Sequence, residues 1–289
     1  MKLTLKQQQS LWGYIFISPW VLGLALLFAW PLGRSLMLSF QKVTDLFQWQ
    51  TEWVGLDHYR QIFTEDIVFT PVLLDTLENV AIDVPLILVF SLLLALLLTG
   101  VGRGQTFLRA VFFLPVVIGS AGVIQHMLSV GVGDQLLMST LEPLMQGMGA
   151  EVDSVVEGTP IQWIVTRLTA IIWFSGVEIL FFIAGLNSIP PSLYEAARVD
   201  GASPWESFWK ITLPMVSPVI LLVTIYAMID QLTFPENPMI KYIMQVGVRG
   251  QQLEYASALG MAYFLVVFLQ IALVVRILSK FVFYAGEKP

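Results

Sequence analysis

Residues 79–98 read Asn-Val-Ala-Ile-Asp-Val-Pro-Leu-Ile-Leu-Val-Phe-Ser-Leu-Leu-Leu-Ala-Leu-Leu-Leu, with Asp83 the one charge in the run. About 20 apolar residues carry a helix across the hydrocarbon core of a bilayer, whereas a membrane strand needs about 10 alternating ones. The stretch therefore predicts a transmembrane helix. The rest of the chain agrees. Of its 289 residues 56% are hydrophobic and 12% are charged, with a mean hydropathy of +0.76. An average soluble domain carries about 25% charge, and half of that cannot wet the surface of a chain this long. Composition excludes a soluble enzyme, a disordered chain and a fibre.

Five further stretches have the same character, at about 11–32, 108–128, 168–186, 215–232 and 256–278. The expected fold is an all-α integral membrane protein with six transmembrane helices in one domain, 1–289. The first stretch follows Lys2 and Lys6 but is long and has no small-x-small cleavage site, so it reads as an uncleaved helix. Pro19, Pro85 and Pro115 fall inside spans, where neighbouring groups can re-satisfy the backbone.

Orientation follows from the basic residues, which stay in cytoplasmic loops. With the N-terminus inside, the inner segments hold Lys2, Lys6, Arg103, Arg109, Arg198, Lys210, Arg276, Lys280 and Lys288 against Glu195, Asp200, Glu206 and Glu287. Of the chain's 15 bases and 21 acids, six bases and seventeen acids remain for the other segments. Both termini are therefore expected in the cytoplasm. The outer connections become about 33–78, 129–167 and 233–255. Trp49, Trp53 and Trp163 are positioned as interfacial anchors, and the acidic, Gly- and Met-rich run from Glu142 to Pro160 reads as a flap or a docking surface.

The inner segment from Asn187 to Pro214 carries the densest local signals. Ser192 with Glu195 three residues later is a capping box, which predicts a helix starting at Ser192 and running through Ala196, Ala197 and Arg198. Gly201 is placed to end it in a left-handed cap. Ser203-Pro204-Trp205-Glu206 forms a second capping box with proline at the first helical position. Phe208, Ile211 and Leu213 give the second helix an apolar side, and Pro214 begins the fifth span. The expected result is two short helices about a glycine turn at the inner membrane face. Any amphipathic interfacial helix would share that pattern.

Glu195-Ala196-Ala197, then Asp200-Gly201-Ala202, Ile211 and Leu213-Pro214, resembles the EAA signature of ABC-importer permease subunits. The similarity extends to Pro19 and Pro31, Thr76-Leu77, Phe113-Leu114-Pro115 and Tyr255-Ala256-Ser257-Ala258-Leu259. The chain is thus similar to the binding-protein-dependent sugar permeases of maltose type, and to the first of their two paired subunits. It departs at Asp75, where asparagine is common, and at Pro235-Glu236-Asn237-Pro238, where a Gly-Gly-Pro turn is common. Gln125 and His126 stand where tryptophan is usual.

The resemblance implies the transmembrane domain of a type I ABC importer with a cytoplasmic coupling helix in a bacterial or archaeal plasma membrane. It implies a second homologous permease subunit, two ATP-binding cassette subunits that bind the ATP and Mg, and an extracellular or periplasmic solute-binding protein. Glu195, Ala196, Ala197, Arg198, Asp200, Gly201, Leu213 and Pro214 would meet the ATPase, with Glu195 in ionic contact. Closure of the ATPases would turn the permeases from inward-open to outward-open. The implied cargo is a saccharide, a di- or oligosaccharide, with glycerol phosphate as an alternative.

Polar groups inside spans are costly and default to functional roles. Glu178 lies mid-span with Phe174 and Phe181 on its face, and a carboxylate beside aromatic rings suits a sugar. Tyr226 and Asp230 are four apart on the fifth span, as are Asn79 and Asp83 on the second; Gln125 and Gln270 are further candidates. The alternative is that these residues bond one another, or the partner permease, and hold helices together. A proton-coupled secondary transporter using Glu178 and Asp230, and a membrane enzyme or scaffold, are the rivals from other classes.

Several chemistries have no residues to carry them. The chain has no cysteine and two histidines, His58 and His126, and no Ser–His–Asp constellation or metal-ligand cluster is legible. No G-x-x-x-x-G-K-[ST] loop is present, so this chain is expected to bind no cofactor; Gly100, Gly102 and Gly104 read as turn residues. A net charge of −6 argues against nucleic acid.

Overall fold

The computed structural model describes residues 5–45, 50–100, 167–168 and 170–283, with side chains from residue 12 onward, Asp45 excepted. The expected third span, with Pro115 and Gln125, lies outside them, as do Trp49, Trp163 and the Glu142–Pro160 run. Among the described residues the helices are α1 (Leu5–Gly23), α2 (Trp30–Leu38), α3 (Asp57–Thr64), α4 (Phe69–Gly100) and α5 (Gly176–Asn187). They continue with α6 (Pro191–Val199), α7 (Pro204–Ser207), α8 (Leu213–Thr233), α9 (Pro238–Met244) and α10 (Leu253–Leu278). Among the described residues four stretches are long and apolar enough to cross a membrane, and five if α5 and α6, bent by 61° at the break between them, count together as one span.

Prolines shape these helices through the hydrogen bonds they cannot donate. A proline leaves the carbonyl four residues back without its partner. In the two Ser-Pro pairs inside helices the serine hydroxyl takes over. Ser18 donates to the Ile15 carbonyl at 2.8 Å ahead of Pro19, and Ser217 to the Pro214 carbonyl at 2.6 Å ahead of Pro218. Elsewhere the helix widens. A π-helical segment, Leu24–Ala29, joins α1 to α2 across the Leu27 carbonyl that Pro31 cannot reach. Another, Phe208–Thr212, joins α7 to α8 across the Lys210 carbonyl that Pro214 cannot reach.

These joins correct three expected boundaries. The first span does not stop at Leu32 but continues to Leu38, because Pro31 sits in the first turn of α2 and is tolerated there. The second begins ten residues early, at Phe69, since Asp66 accepts from the backbone N–H groups of Val68 and Phe69 and starts the helix there. The second helix of the inner segment is not a separate element, because α7 runs through the π-helical turn into α8.

The chain forms two compact units, one of residues 1–74 and 238–268, the other of 75–237 and 269–289. In the first, β1 (Gln41–Asp45) pairs antiparallel with β2 (Gln50–Trp53), a hairpin that the expected all-α architecture did not include. Phe40 stacks on Trp53 with ring centroids 5.6 Å apart. The Asp66 carboxylate gathers four donors: the two backbone N–H groups, Tyr242 Oη at 2.6 Å and Tyr255 Oη at 2.7 Å.

The second unit holds the larger core. Ala95 and Leu98 of α4, Ile179, Phe182 and Ile183 of α5, Ile189, and Val216 and Val223 of α8 bury one another. Gly185 lets α5 approach α8 closely: a Cβ there would lie 2.8 Å from Val219 Cγ2. Helix α6 hangs from one end of this core through Ile189, which is buried, and Tyr194, which packs against it.

Candidate functional site

The segment after α5 is built by local rules. Pro190 is extended because a following proline pushes its neighbour out of the helical region, and Pro191 then opens α6. The expected start at Ser192 is corrected accordingly. No side chain caps α6, and Glu195 makes no capping box with Ser192. The preset backbone angle of Pro191 does the work that a serine cap would have done.

The other end follows the expectation closely. Gly201 has φ +78°, its N–H donates to the Arg198 carbonyl at 3.1 Å, and the Ala202 N–H donates to the Ala197 carbonyl at 2.9 Å. This is a Schellman cap, which places the left-handed residue where glycine carries no Cβ penalty. The capping box at Ser203 also forms. The Ser203 N–H donates to Glu206 Oε2 at 2.9 Å and the Glu206 N–H to Ser203 Oγ at 3.3 Å.

A hydroxyl pair ties the two halves together. Tyr194 Oη and Thr212 Oγ1 lie 2.9 Å apart, and Thr212 Oγ1 donates onward to the Ser207 carbonyl at 3.4 Å. With the threonine proton committed, the tyrosine is the donor. A cavity of about 660 Å³ lies behind α6, lined among others by Thr99, Asn187, Tyr194, Arg198 and Thr212. On the opposite side α6 is open: Glu195, Ala196 and Asp200 are exposed, and Val199 is 88% exposed; Arg198, also exposed, borders the cavity. A short, rigidly capped helix thus presents small and charged side chains outward. Leu213 and Pro214 are half-buried at the start of α8.

The intramembrane polar residues divide into two groups. Arg167 donates through Nη1 to Asp83 Oδ1 at 2.5 Å and through Nη2 to Asn79 Oδ1 at 2.6 Å, with side-chain exposures of 13% and 12% for the ion pair. Asn79 and Asp83 are therefore held by a base that the sequence reading left in a loop. Its signal was its position, one residue before the fourth span, where a long side chain can reach back to an acid on a neighbouring helix.

Glu178 is 1% exposed, and among the described residues neither of its oxygens has a hydrogen-bond partner. Asp230 acts on it as a like charge. Phe181 meets Tyr226 edge-on at 5.6 Å, and Phe174 meets Phe234 edge-on at 5.2 Å. The structure therefore gathers Glu178, Phe181, Tyr226 and Asp230 between α5 and α8. Helicity breaks at Ser175, between Phe174 and Glu178. Gln270 stands on α10 with its Oε1 buried and unpartnered.

The family model for "Binding-protein-dependent transport system inner membrane component" matches residues 72–284. Over 98% of this chain and 95% of the relative, the chain is 30% identical to the probable ABC transporter permease protein YesP of Bacillus subtilis. It is 28% identical to the arabinooligosaccharides transport system permease protein AraP of the same organism, over 92% and 86% of the two chains. The sn-glycerol-3-phosphate transport system permease protein UgpA of Escherichia coli is 31% identical over 77% and 74%. Among solved structures, a chain of the bacterial alginate ABC transporter in complex with alginate pentasaccharide-bound periplasmic protein superposes with TM-score 0.66 at 20% identity, over 92% of this chain and 93% of that one. The match of fold, of spans and of nearly the whole sequence makes this chain a member of the family of inner-membrane permease components of binding-protein-dependent ABC transport systems.

Proposed function

We propose that this chain is one of two permease subunits of an ATP-driven importer for a saccharide, a di- or oligosaccharide, and that α6 transmits the force. The observation that carries the reading is the exposed face of α6, with Glu195, Ala196 and Asp200 outward, on a helix locked by the Gly201 cap and the Tyr194–Thr212 bond. Small residues there allow close approach, and Glu195 supplies a charge for an ionic contact with an ATP-binding subunit. ATP and Mg belong to that partner. Both termini lie in the cytoplasm, which sets α6 on the side where ATP is found. A solute-binding protein delivers cargo from outside; the alginate transporter's periplasmic protein supports this assignment.

The solute path includes the group around Glu178, with Phe174, Phe181, Tyr226 and Asp230, together with Gln125 and Gln270. Asn79 and Asp83 reach a solute only after releasing Arg167; in the state described they latch α4 to the start of the fourth span. The arabinooligosaccharide relatives support a saccharide, and the glycerol-3-phosphate relatives support a phosphorylated alternative.

One experiment tests the coupling. The native chain has no cysteine, so Ala196→Cys gives a single thiol. Crosslinking of that thiol to the ATPase subunit, with loss of ATP-dependent uptake on Glu195→Ala at unchanged expression, is the expected result. Uptake driven by a proton gradient by this chain alone would overturn it.

A further inference from the structure

A second groove lies along the start of α8. It has a volume of about 310 Å³ and is lined by Leu213, Pro214, Ser217, Ile220 and Leu221 of α8 with Leu278, Phe281, Val282 and Phe283. Its wall is apolar apart from Ser217, and the hydroxyl of Ser217 is consumed. It donates to the Pro214 carbonyl and accepts from the Phe283 N–H at 2.8 Å. That second bond folds the chain after α10 back against α8 and makes the groove.

The surroundings are those of a membrane interface. Trp205 and Trp209, 69% and 49% exposed, stand just before α8, with Phe208 between them in an aromatic cluster. Exposed Trp at this density marks the headgroup level. Phe281 and Phe283 are also exposed, at 76% and 52%. Lys280 sits between the lining residues Leu278 and Phe281, and Lys210 one turn before Leu213. Lys210 meets Glu206 only at 3.9 Å on the surface, a weak hold that leaves it available. An apolar slot whose lining residues are neighboured in sequence by Lys210 and Lys280 complements a lipid with a negative headgroup.

We propose that this groove holds an acyl chain of an anionic phospholipid of the cytoplasmic leaflet, with its phosphate held by Lys210 and Lys280. The inference rests on the inward placement of the α8 start and the α10 end proposed above. A lipid seated there braces the base of α8, the helix that continues directly from α7 and the coupling turn.

The test uses the transporter purified with its partner subunits and native mass spectrometry after exchange with phosphatidylglycerol or phosphatidylcholine. The wild type is expected to retain phosphatidylglycerol in preference. Lys210→Gln with Lys280→Gln lowers that retention by about fivefold per charge removed, and Ile220→Trp, which fills the slot, expels both lipids. Equal retention of the two lipids, unchanged by these variants, overturns the proposal. So does a crosslink from a cysteine at Leu221 to the second permease in place of lipid. Lys280→Cys separates this outcome from failure of the orientation. Labelling by an impermeant maleimide from outside the cell overturns the orientation itself, while labelling from inside without lipid preference overturns the lipid site alone.

Discussion

The hydroxyl of Tyr194 on α6 donates to Thr212, which stands in the π-helical turn leading into α8. The two residues are eighteen apart in sequence, and their bond spans the glycine turn between them. It ties α6 to the base of α8, the lever of the proposed coupling.

Tyr194→Phe removes this bond and keeps the ring. The expected loss of stability is about 1 kcal/mol, too small to unfold the chain. Under the proposed function the loss appears in coupling. Solute moved per ATP hydrolysed in proteoliposomes should fall while ATPase activity persists. An unchanged ratio would show that the lever does not depend on this bond.

At Gly201 there is open space for a side chain, so the penalty for substitution is conformational, not steric. Gly201→Val should cost about 1–2 kcal/mol at its positive φ, and Gly201→Asn clearly less. Uptake is expected to rank wild type, then Asn, then Val at equal membrane expression. If Val matched wild type, the left-handed cap would not be required.

The Arg167–Asp83 pair is mostly shielded from solvent, and removing one member takes the opposite charge away from the other. Arg167→Leu or Asp83→Leu alone should lower stability by about 3–5 kcal/mol, and the double variant by less than the sum. Thermal unfolding in detergent measures the cycle. Additive losses would place the two residues in separate networks.

Burial pushes the Asp66 carboxyl up, but hydrogen bonds from Tyr242, Tyr255 and the N–H groups of Phe69 and Val68 outweigh it and hold its pKa below the ordinary 3.8. The folded value is thus lower than the unfolded one. The carboxylate contributes stability that is fully present above the unfolded pKa and is lost as pH falls through the folded one. Wild type should exceed Asp66→Asn in thermal stability at pH 7, and the gap should close below about pH 4. A gap independent of pH would assign the effect to shape and not to charge.

Much of the segment from Asn187 to Pro214 was legible because its signals are local. A glycine four residues after Ala197 and a Ser-x-x-Glu run settle backbone conformation within one turn, and both formed as read. The reading failed at Ser192, where two local rules competed. Pro190-Pro191 fixed the helix start before a serine cap could, and a single sequence carries no weights for that contest. Boundaries at Phe69 and Leu38 were missed for a related reason. Hydropathy marks where a helix is apolar, whereas Asp66 and Pro31 mark where it begins and persists.

The order of residues by itself determined the bilayer as solvent, the helices that answer it, the Ser-Pro repairs at residues 18–19 and 217–218, and the glycine turn. These depend on composition and on bonds closed within a few residues. Tertiary structure alone decided that Arg167 holds Asp83 and Asn79, that Tyr194 reaches Thr212, and that Phe283 folds back onto Ser217. Each joins groups far apart in the chain or from different helices. Such meetings follow from how helices pack, which no local pattern encodes.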